Sequence, residues 1–191
     1  MKQLEIEFKS LLHEKDYLRL CDYYQLTAKN YHTQTNVYFD TADQQLRNLK
    51  CGLRIRKYDT YGEITLKTPQ AVGLLEITDQ LTLEETNDWI ARQSLPSTGA
   101  VADELKRLAI ELSNLTVLAE LTTKRAEFAI AEGLLALDES WYGNAHDYEL
   151  ELEVTDAALG KKAFENYLED HHLPFIPAEN KIVRAVKEKS L

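Results

Sequence analysis

The chain has 191 residues, 44% hydrophobic and 28% charged, which suits one globular domain (1–191) with a sizeable core and excludes a disordered polypeptide. A formal net charge of −10 argues against nucleic-acid binding, because the long-range field repels a polyanion; any phosphate site must be a local cluster of cations. Cys21 and Cys51 fit neither a metal spacing nor a disulfide framework, no apolar run suggests a signal peptide or membrane span, and a reduced, cytoplasmic protein is expected.

Leu4 to Lys9 opens the chain as a strand with one apolar face (Leu4, Ile6, Phe8) and one charged face (Glu5, Glu7, Lys9). Ser10 is expected to cap a helix running to about Tyr24, carried by Leu11, Leu12, Tyr17, Leu18, Leu20 and Cys21. Asn36 to Asp40 reads as the second strand, rich in β-branched and aromatic residues, and Thr41 to Asn48 as loop or a short helical turn. From Cys51 alternation resumes, with Leu53 and Ile55 on one face and Arg54 and Arg56 on the other. The turn signal Asp59-Thr60-Tyr61-Gly62 folds Ile64 to Lys67 back as an antiparallel partner, with Lys67 on the polar face. Pro69 ends that strand, and Gly73 to Leu83 supplies another that contains Glu76.

Glu84 to Leu112 carries a helical period broken at Pro96 and Gly99, which predicts two helices inserted between halves of a sheet. Thr116 to Ile130 returns to strand, with Thr123, Arg125 and Glu127 sharing a face. Gly133 turns into Leu134 to Ser140, where Ala136 and Asp138 oppose Leu135 and Leu137. Tyr142-Gly143-Asn144 turns again into Tyr148 to Val154, whose Glu149, Glu151 and Glu153 alternate strictly with apolar residues. Thr155 or Asp156 caps a helix to about His171 on the face of Leu159, Ala163, Phe164, Tyr167 and Leu168; Pro174 and Pro177 break it. The closing Asn180 to Arg184 is basic, and Lys181 and Arg184 become neighbours if it is helical. About eight strands in mostly hairpin order favour an α+β protein, mainly antiparallel β, closed into a barrel with helices packed outside.

For any single strand, a charged stripe facing water is the simpler account, since antiparallel sheets commonly keep one face wet. That account weakens across the set, because several strands present carboxylate pairs or arginine pairs at two-residue spacing. The anions are Glu5, Glu7, Glu76, Asp138, Glu149, Glu151 and Glu153; the cations are Lys9, Arg54, Arg56, Lys67, Arg125, Lys181 and Arg184. Carboxylates gather on the first and last strands, which become neighbours on closure, and arginines and lysine on the middle hairpin. Such an interior is roughly neutral when empty and survives burial by mutual pairing. A bound triphosphate needs added positive charge, which one or two divalent ions on the carboxylates supply. Hard oxygen ligands select magnesium, manganese or calcium over zinc. Arginine grips phosphate oxygens bidentately, whereas lysine acts as a point charge.

The opening Glu5-X-Glu7-X-Lys9 resembles the signature of the CYTH domain, the triphosphate tunnel metalloenzymes. Supporting matches follow in the family's order: Asn36 to Thr41, Leu53-Arg54-Ile55-Arg56, Thr65-Leu66-Lys67, Arg125, Asp138, Glu149-Leu150-Glu151, and Lys181 with Arg184. In general look the chain is similar to the stand-alone CYTH proteins of Gram-positive bacteria. The resemblance implies an eight-stranded antiparallel tunnel that binds triphosphate and hydrolyses it with Mg2+ or Mn2+. It further implies Glu5, Glu7, Asp138, Glu149 and Glu151 as metal ligands. Lys9, Arg54, Arg56, Lys67, Arg125, Lys181 and Arg184 become substrate-binding residues, with Glu76 and Glu153 as further candidates. Where many members pair a basic residue with the fifth-strand glutamate, this sequence has Gly73-Leu74-Leu75 before Glu76.

The expected reaction is attack of water on the terminal phosphorus, served by Glu149 and Glu151 with Lys9 and driven mainly by charge stabilisation. No stretch identifies a base-binding pocket, which favours inorganic triphosphate over thiamine or nucleoside triphosphates, or cyclisation of ATP. A non-catalytic polyphosphate- or nucleotide-binding module would keep the arginines but has no need of the carboxylate pairs. The five histidines form no ligand spacing, and Trp89 and Trp141 read as core and rim packing.

Overall fold

The computed structural model describes residues 1–189. Its strands are β1 (Lys2–Leu12), β2 (Tyr31–Thr41), β3 (Gly52–Lys57), β4 (Tyr61–Pro69), β5 (Leu74–Thr82), β6 (Leu115–Ile130), β7 (Gly133–Tyr142) and β8 (Ala145–Val154). They close into an antiparallel barrel in the order β1-β5-β4-β3-β2-β6-β7-β8. Closure runs through β1, whose residues 2–5 pair with β5 and residues 6–12 with β8. The expected meeting of the first and last strands therefore holds, and Lys9 lies directly opposite Glu151.

The helices are α1 (Glu14–Tyr23), α2 (Gln45–Asn48), α3 (Leu83–Arg92), α4 (Ala100–Arg107), α5 (Ala157–Asp170) and α6 (Lys181–Lys189). Except for α6, which packs on Tyr38, Ala119, Leu121 and Tyr142, they cover the outside of the barrel, where most apolar strand residues point. On one side Leu135, Leu137, Leu150 and Leu152 pack with Tyr17 and Leu20 of α1 and Phe164, Tyr167 and Leu168 of α5. On the other, Leu53, Ile55, Ile64, Leu66 and Ile77 pack beneath Val101 and Leu105 of α4, with Trp89 and Ile90 of α3. The hydrophobic cores thus lie between barrel and helices, and the charged parity is left to line the lumen. Alternation at period two has this consequence whenever the apolar face is covered from outside.

Two local expectations are corrected. Ser10 does not cap a helix: β1 continues to Leu12, so Leu11 and Leu12 are strand residues, and α1 begins after His13, whose side chain makes no cap hydrogen bond. Buried Ser10 points outward, where its hydroxyl donates to Ile176 O (3.2 Å) and accepts from Ile176 N–H (2.9 Å), tying the segment before α6 to β1. Leu18 on α1 and Leu159 on α5 are exposed and do not belong to the buried faces. Asp156 is the cap of α5, accepting from Leu159 N–H at 2.8 Å. Among the described residues no helix is long and apolar enough to cross a membrane.

Candidate active site in the tunnel

Strand register sets the lumen. Asp138 on β7 faces Glu149 on β8 and Arg125 on β6, so period-two alternation places all three side chains on the interior. Carboxylate oxygens of Asp138, Glu149 and Glu151 lie within 4.8 Å of one another, and all three residues are buried. Arg125 Nε donates to Asp138 Oδ1 at 2.7 Å and Nη2 to Oδ2 at 2.6 Å, a bidentate grip, while Nη2 also reaches Glu151.

The mouth above this cluster is stoppered by α6. Ile182, Ala185 and Val186 pack on Tyr38, Ala119, Leu121 and Tyr142. On the adjoining face of the helix, Lys181 Nζ lies 2.8 Å from Asp138 Oδ2 and 2.6 Å from Glu149 Oε1, and also contacts Glu151. Arg184 donates to Asp147 Oδ2 at 2.6 Å and to Glu149 Oε2. The three-residue spacing expected to join Lys181 and Arg184 on a helix does so, and aims both at the acidic wall.

Burial acts to raise both glutamates, Glu149 and Glu151, and the cations beside them separate their acidity. It pushes Glu149 up to about 8, with Glu151 adding to the rise against the pull of Lys181. At Glu151 burial acts in the same sense, but Arg125 and Lys181 overcome it and hold that carboxyl well below the usual range. Two adjacent acids of unequal strength titrate as a pair that readily keeps one proton.

The opposite wall comes from β3, β4 and β5. Lys67 Nζ donates to Glu5 Oε2 at 2.6 Å and lies 3.0 Å from Glu76 Oε1, while Arg54 reaches Glu76 at 3.7 Å. Arg56 donates from Nε to Asn36 Oδ1 at 2.9 Å and from Nη1 to Glu63 at 3.4 Å. Buried Arg54 Nε has no hydrogen-bond partner among the described residues. A desolvated guanidinium N–H left over costs stability, and Arg184 Nε on the acidic side is likewise without a partner among the described residues.

Of the expected site residues, Asp138, Glu149, Glu151, Arg125, Lys181 and Arg184 come together in one ion-pair network. Lys9, opposite Glu151 in the β1–β8 register, stands beside this network, with its own bonds going to Glu7 at 3.0 Å and to Asn180 Oδ1 at 2.8 Å. Glu5 and Glu7 stand apart from the three-carboxylate cluster: Glu5 bonds Lys67, and burial, aided by Glu7 and Glu76, raises its carboxyl even so. Glu76 belongs with the cations; burial opposes its charge, but Lys67 and Arg54 outweigh that and lower it. Glu153 accepts from Gln3 Nε2 at 3.1 Å, and burial beside Glu5 and Glu76 raises it.

Sequence reasoning missed Glu63 and Asp147. Both stand two residues before recognised lumen positions, Thr65 and Glu149, so extending the same alternation by one step would have found them. Three buried carboxylates, with no histidine or thiolate among the clustered groups, could hold a hard metal ion.

Residues 3–186 match the family model described as the CYTH domain. The chain is 39% identical over 188 residues to YjbK of Bacillus subtilis, named as a candidate triphosphatase, covering 98% of this chain and 97% of that protein. Among solved structures, one from Bacillus halodurans named as a candidate adenylate cyclase is 35% identical. It superimposes with a TM-score of 0.90 over 96% of this chain and 97% of that one. A protein from Hippeastrum, also named as a cyclase candidate and described as having a dominant triphosphatase activity, is 24% identical. Its TM-score is 0.79 over 98% of this chain and 97% of its own.

Proposed function

The chain belongs to the CYTH family, and from that premise we propose that it is a divalent-metal-dependent hydrolase of triphosphate groups, with inorganic triphosphate as preferred substrate. The observation that carries the reading is one lumen that holds a buried cluster of three carboxylates on one side and, on the other, Arg54, Arg56 and Lys67 among Glu5, Glu63 and Glu76, with Arg54 Nε left unpaired among the described residues. The names borne by YjbK and by the Bacillus halodurans protein, a triphosphatase and an adenylate cyclase, both concern triphosphate chemistry.

In this reading Arg54 and Arg56 hold phosphate oxygens through directed N–H donors, and Lys67 and Lys9 add point charge. Asp138, Glu149 and Glu151 would hold Mg2+ or Mn2+, and Glu5 and Glu7, here paired with Lys67 and Lys9, would be further ligands; the ion would supply positive charge against the phosphate oxygens. A carboxylate of the Glu149–Glu151 pair orients water and accepts its proton. The water oxygen bonds to the terminal phosphorus, the bridging P–O bond breaks, and orthophosphate and pyrophosphate leave. Positioning and charge dominate because phosphoryl transfer asks little covalent work of the protein.

Phosphate release from inorganic triphosphate, ATP and thiamine triphosphate, with and without magnesium or manganese, tests the proposal. Metal-dependent release fastest from inorganic triphosphate supports it. Cyclic AMP as the main product from ATP would favour the cyclase alternative. Tight triphosphate binding without turnover would favour a binding module.

A further inference from the structure

Outside the barrel, on the face away from the lumen, α1 and α5 end against each other over the β6–β7 turn. Their last residues and caps, Tyr23 with Tyr24 and Asp170 with His171, line a cavity of about 500 Å3 together with Tyr167 and Glu132. His171 is the hub of the rings: its centroid is 4.3 Å from that of Tyr167, 4.8 Å from Tyr23 at 86°, and 6.3 Å from Tyr24. The hydroxyls of Tyr24 and Tyr167 are joined at 3.0 Å, which fixes both ring planes. Tyr23 stays 65% exposed, a large aromatic surface open to water at the rim.

The electrostatics of this cavity are one-sided. Two helices of 10 and 14 residues direct their carboxyl-terminal ends at it, and neither has a basic residue in its last turn. Helix carboxyl termini carry partial negative charge and favour a cation. Glu132 and Asp170 add two exposed carboxylates. His171 does not supply the missing charge, because burial, with help from Arg19, lowers its basicity and keeps the ring neutral. Arg19, one turn back on α1, is itself paired with Asp16 at 3.1 Å.

We propose that this cavity binds an organic ammonium cation. Aromatic faces attract a cation whose shell is alkyl, and the helix ends and carboxylates set the sign of the charge. A bare divalent metal is a poorer occupant, since beside the Glu132 and Asp170 carboxylates and the Asn166 amide the lining is four rings and Ala163, short of the roughly six or more oxygens it requires. An anion would meet carboxylates and helix carboxyl ends together.

The test is an NMR titration of the full chain, reading the ring resonances of His171 and the tyrosines, with choline and with 3,3-dimethylbutan-1-ol, its uncharged isostere. The expected result is saturable binding of choline with a Kd of about 1 mM or tighter, and binding of the alcohol about tenfold weaker. Tyr23→Ala, at an exposed position, and the isosteric Glu132→Gln should each weaken choline several-fold while triphosphate hydrolysis stays unchanged. Equal binding of the two probes would reduce the cavity to an apolar crevice and overturn the proposal. So would absence of saturation, or shifts that both substitutions leave untouched. Because the readout is binding outside the lumen, failure here leaves the triphosphatase reading standing, and failure of that reading leaves this one.

Discussion

Lys181 Nζ, in the first turn of α6, lies 2.6 Å from Glu149 Oε1 on β8, so the carboxyl-terminal helix neutralises the acidic wall of the lumen. Breaking a buried pair on one side leaves carboxylates without a counter-ion, at a cost of about 3–5 kcal/mol. Lys181→Met should therefore lower the melting temperature in EDTA markedly. Magnesium or manganese should recover more of that loss than it adds to the wild type, because the ion replaces the removed charge. Thermal denaturation with and without metal checks this; a metal-induced shift no larger than in the wild type would count against a metal at Asp138, Glu149 and Glu151.

Glu149→Gln and Glu7→Gln keep side-chain shape while removing charge and basicity. Each should lower kcat on inorganic triphosphate by about 100-fold or more, with an unchanged circular-dichroism spectrum. Glu7 carries the sharper information, because in this structure its carboxylate touches Lys9 and is not in the three-carboxylate cluster. Full activity of Glu7→Gln would restrict the metal site to β7 and β8.

Among the described residues Arg54 has an unpaired Nε and one long ion pair, 3.7 Å to Glu76, so its donors are held in reserve. Arg54→Lys keeps the charge and loses the planar fork. The expected outcome is a fall in kcat/KM of about 10-fold or more, seen in steady-state kinetics, with little change in thermal stability. A strongly lowered melting temperature would mean that Arg54 serves the fold instead.

Burial lowers the basicity of His171 from its ordinary 6.5, with Arg19 acting in the same direction. Between the folded and the ordinary value the unfolded chain binds the extra proton, so stability rises as pH increases through that window and levels off above about 6.5. His171→Gln should remove this contribution. Urea midpoints across the acidic range, compared between the two proteins, measure it; identical slopes would refute the assignment.

The lumen was legible in the sequence because residues 148–154 of β8 and 53–56 of β3 alternate strictly: Glu149, Glu151 and Glu153, and Arg54 and Arg56, fall on one parity. The meeting of β1 and β8 was legible from the carboxylates on both, but the pairings β1–β5 and β2–β6 join strands far apart in the chain, which turn-length links do not give. What local pattern could not give was the fate of Ser10. A serine before an apolar stretch looks like a cap, but pairing with Leu150 on the distant β8 makes it a strand residue, and its hydroxyl is taken up by the Ile176 backbone. The pairing of Glu76 with Lys67 is likewise a matter of register between β4 and β5, invisible to spacing along the chain.

Asp40 separates folding from chemistry within the stretch that resembles the family signature. It is 2% exposed, and its carboxylate accepts from Thr41 N–H at 2.7 Å, Leu46 N–H at 2.9 Å and Arg47 N–H at 3.0 Å. These donors are the turn after β2 and the free N–H groups at the start of α2, a helix of only 4 residues that cannot support itself. Asp40→Asn turns one acceptor oxygen into an amide donor facing backbone donors. The expected cost is about 1–3 kcal/mol, read as a lower urea midpoint at unchanged slope. Protein that remains folded should keep the wild-type kcat, since Asp40 touches none of the charged groups described in the lumen. A loss of kcat without a loss of stability would instead assign Asp40 to the reaction.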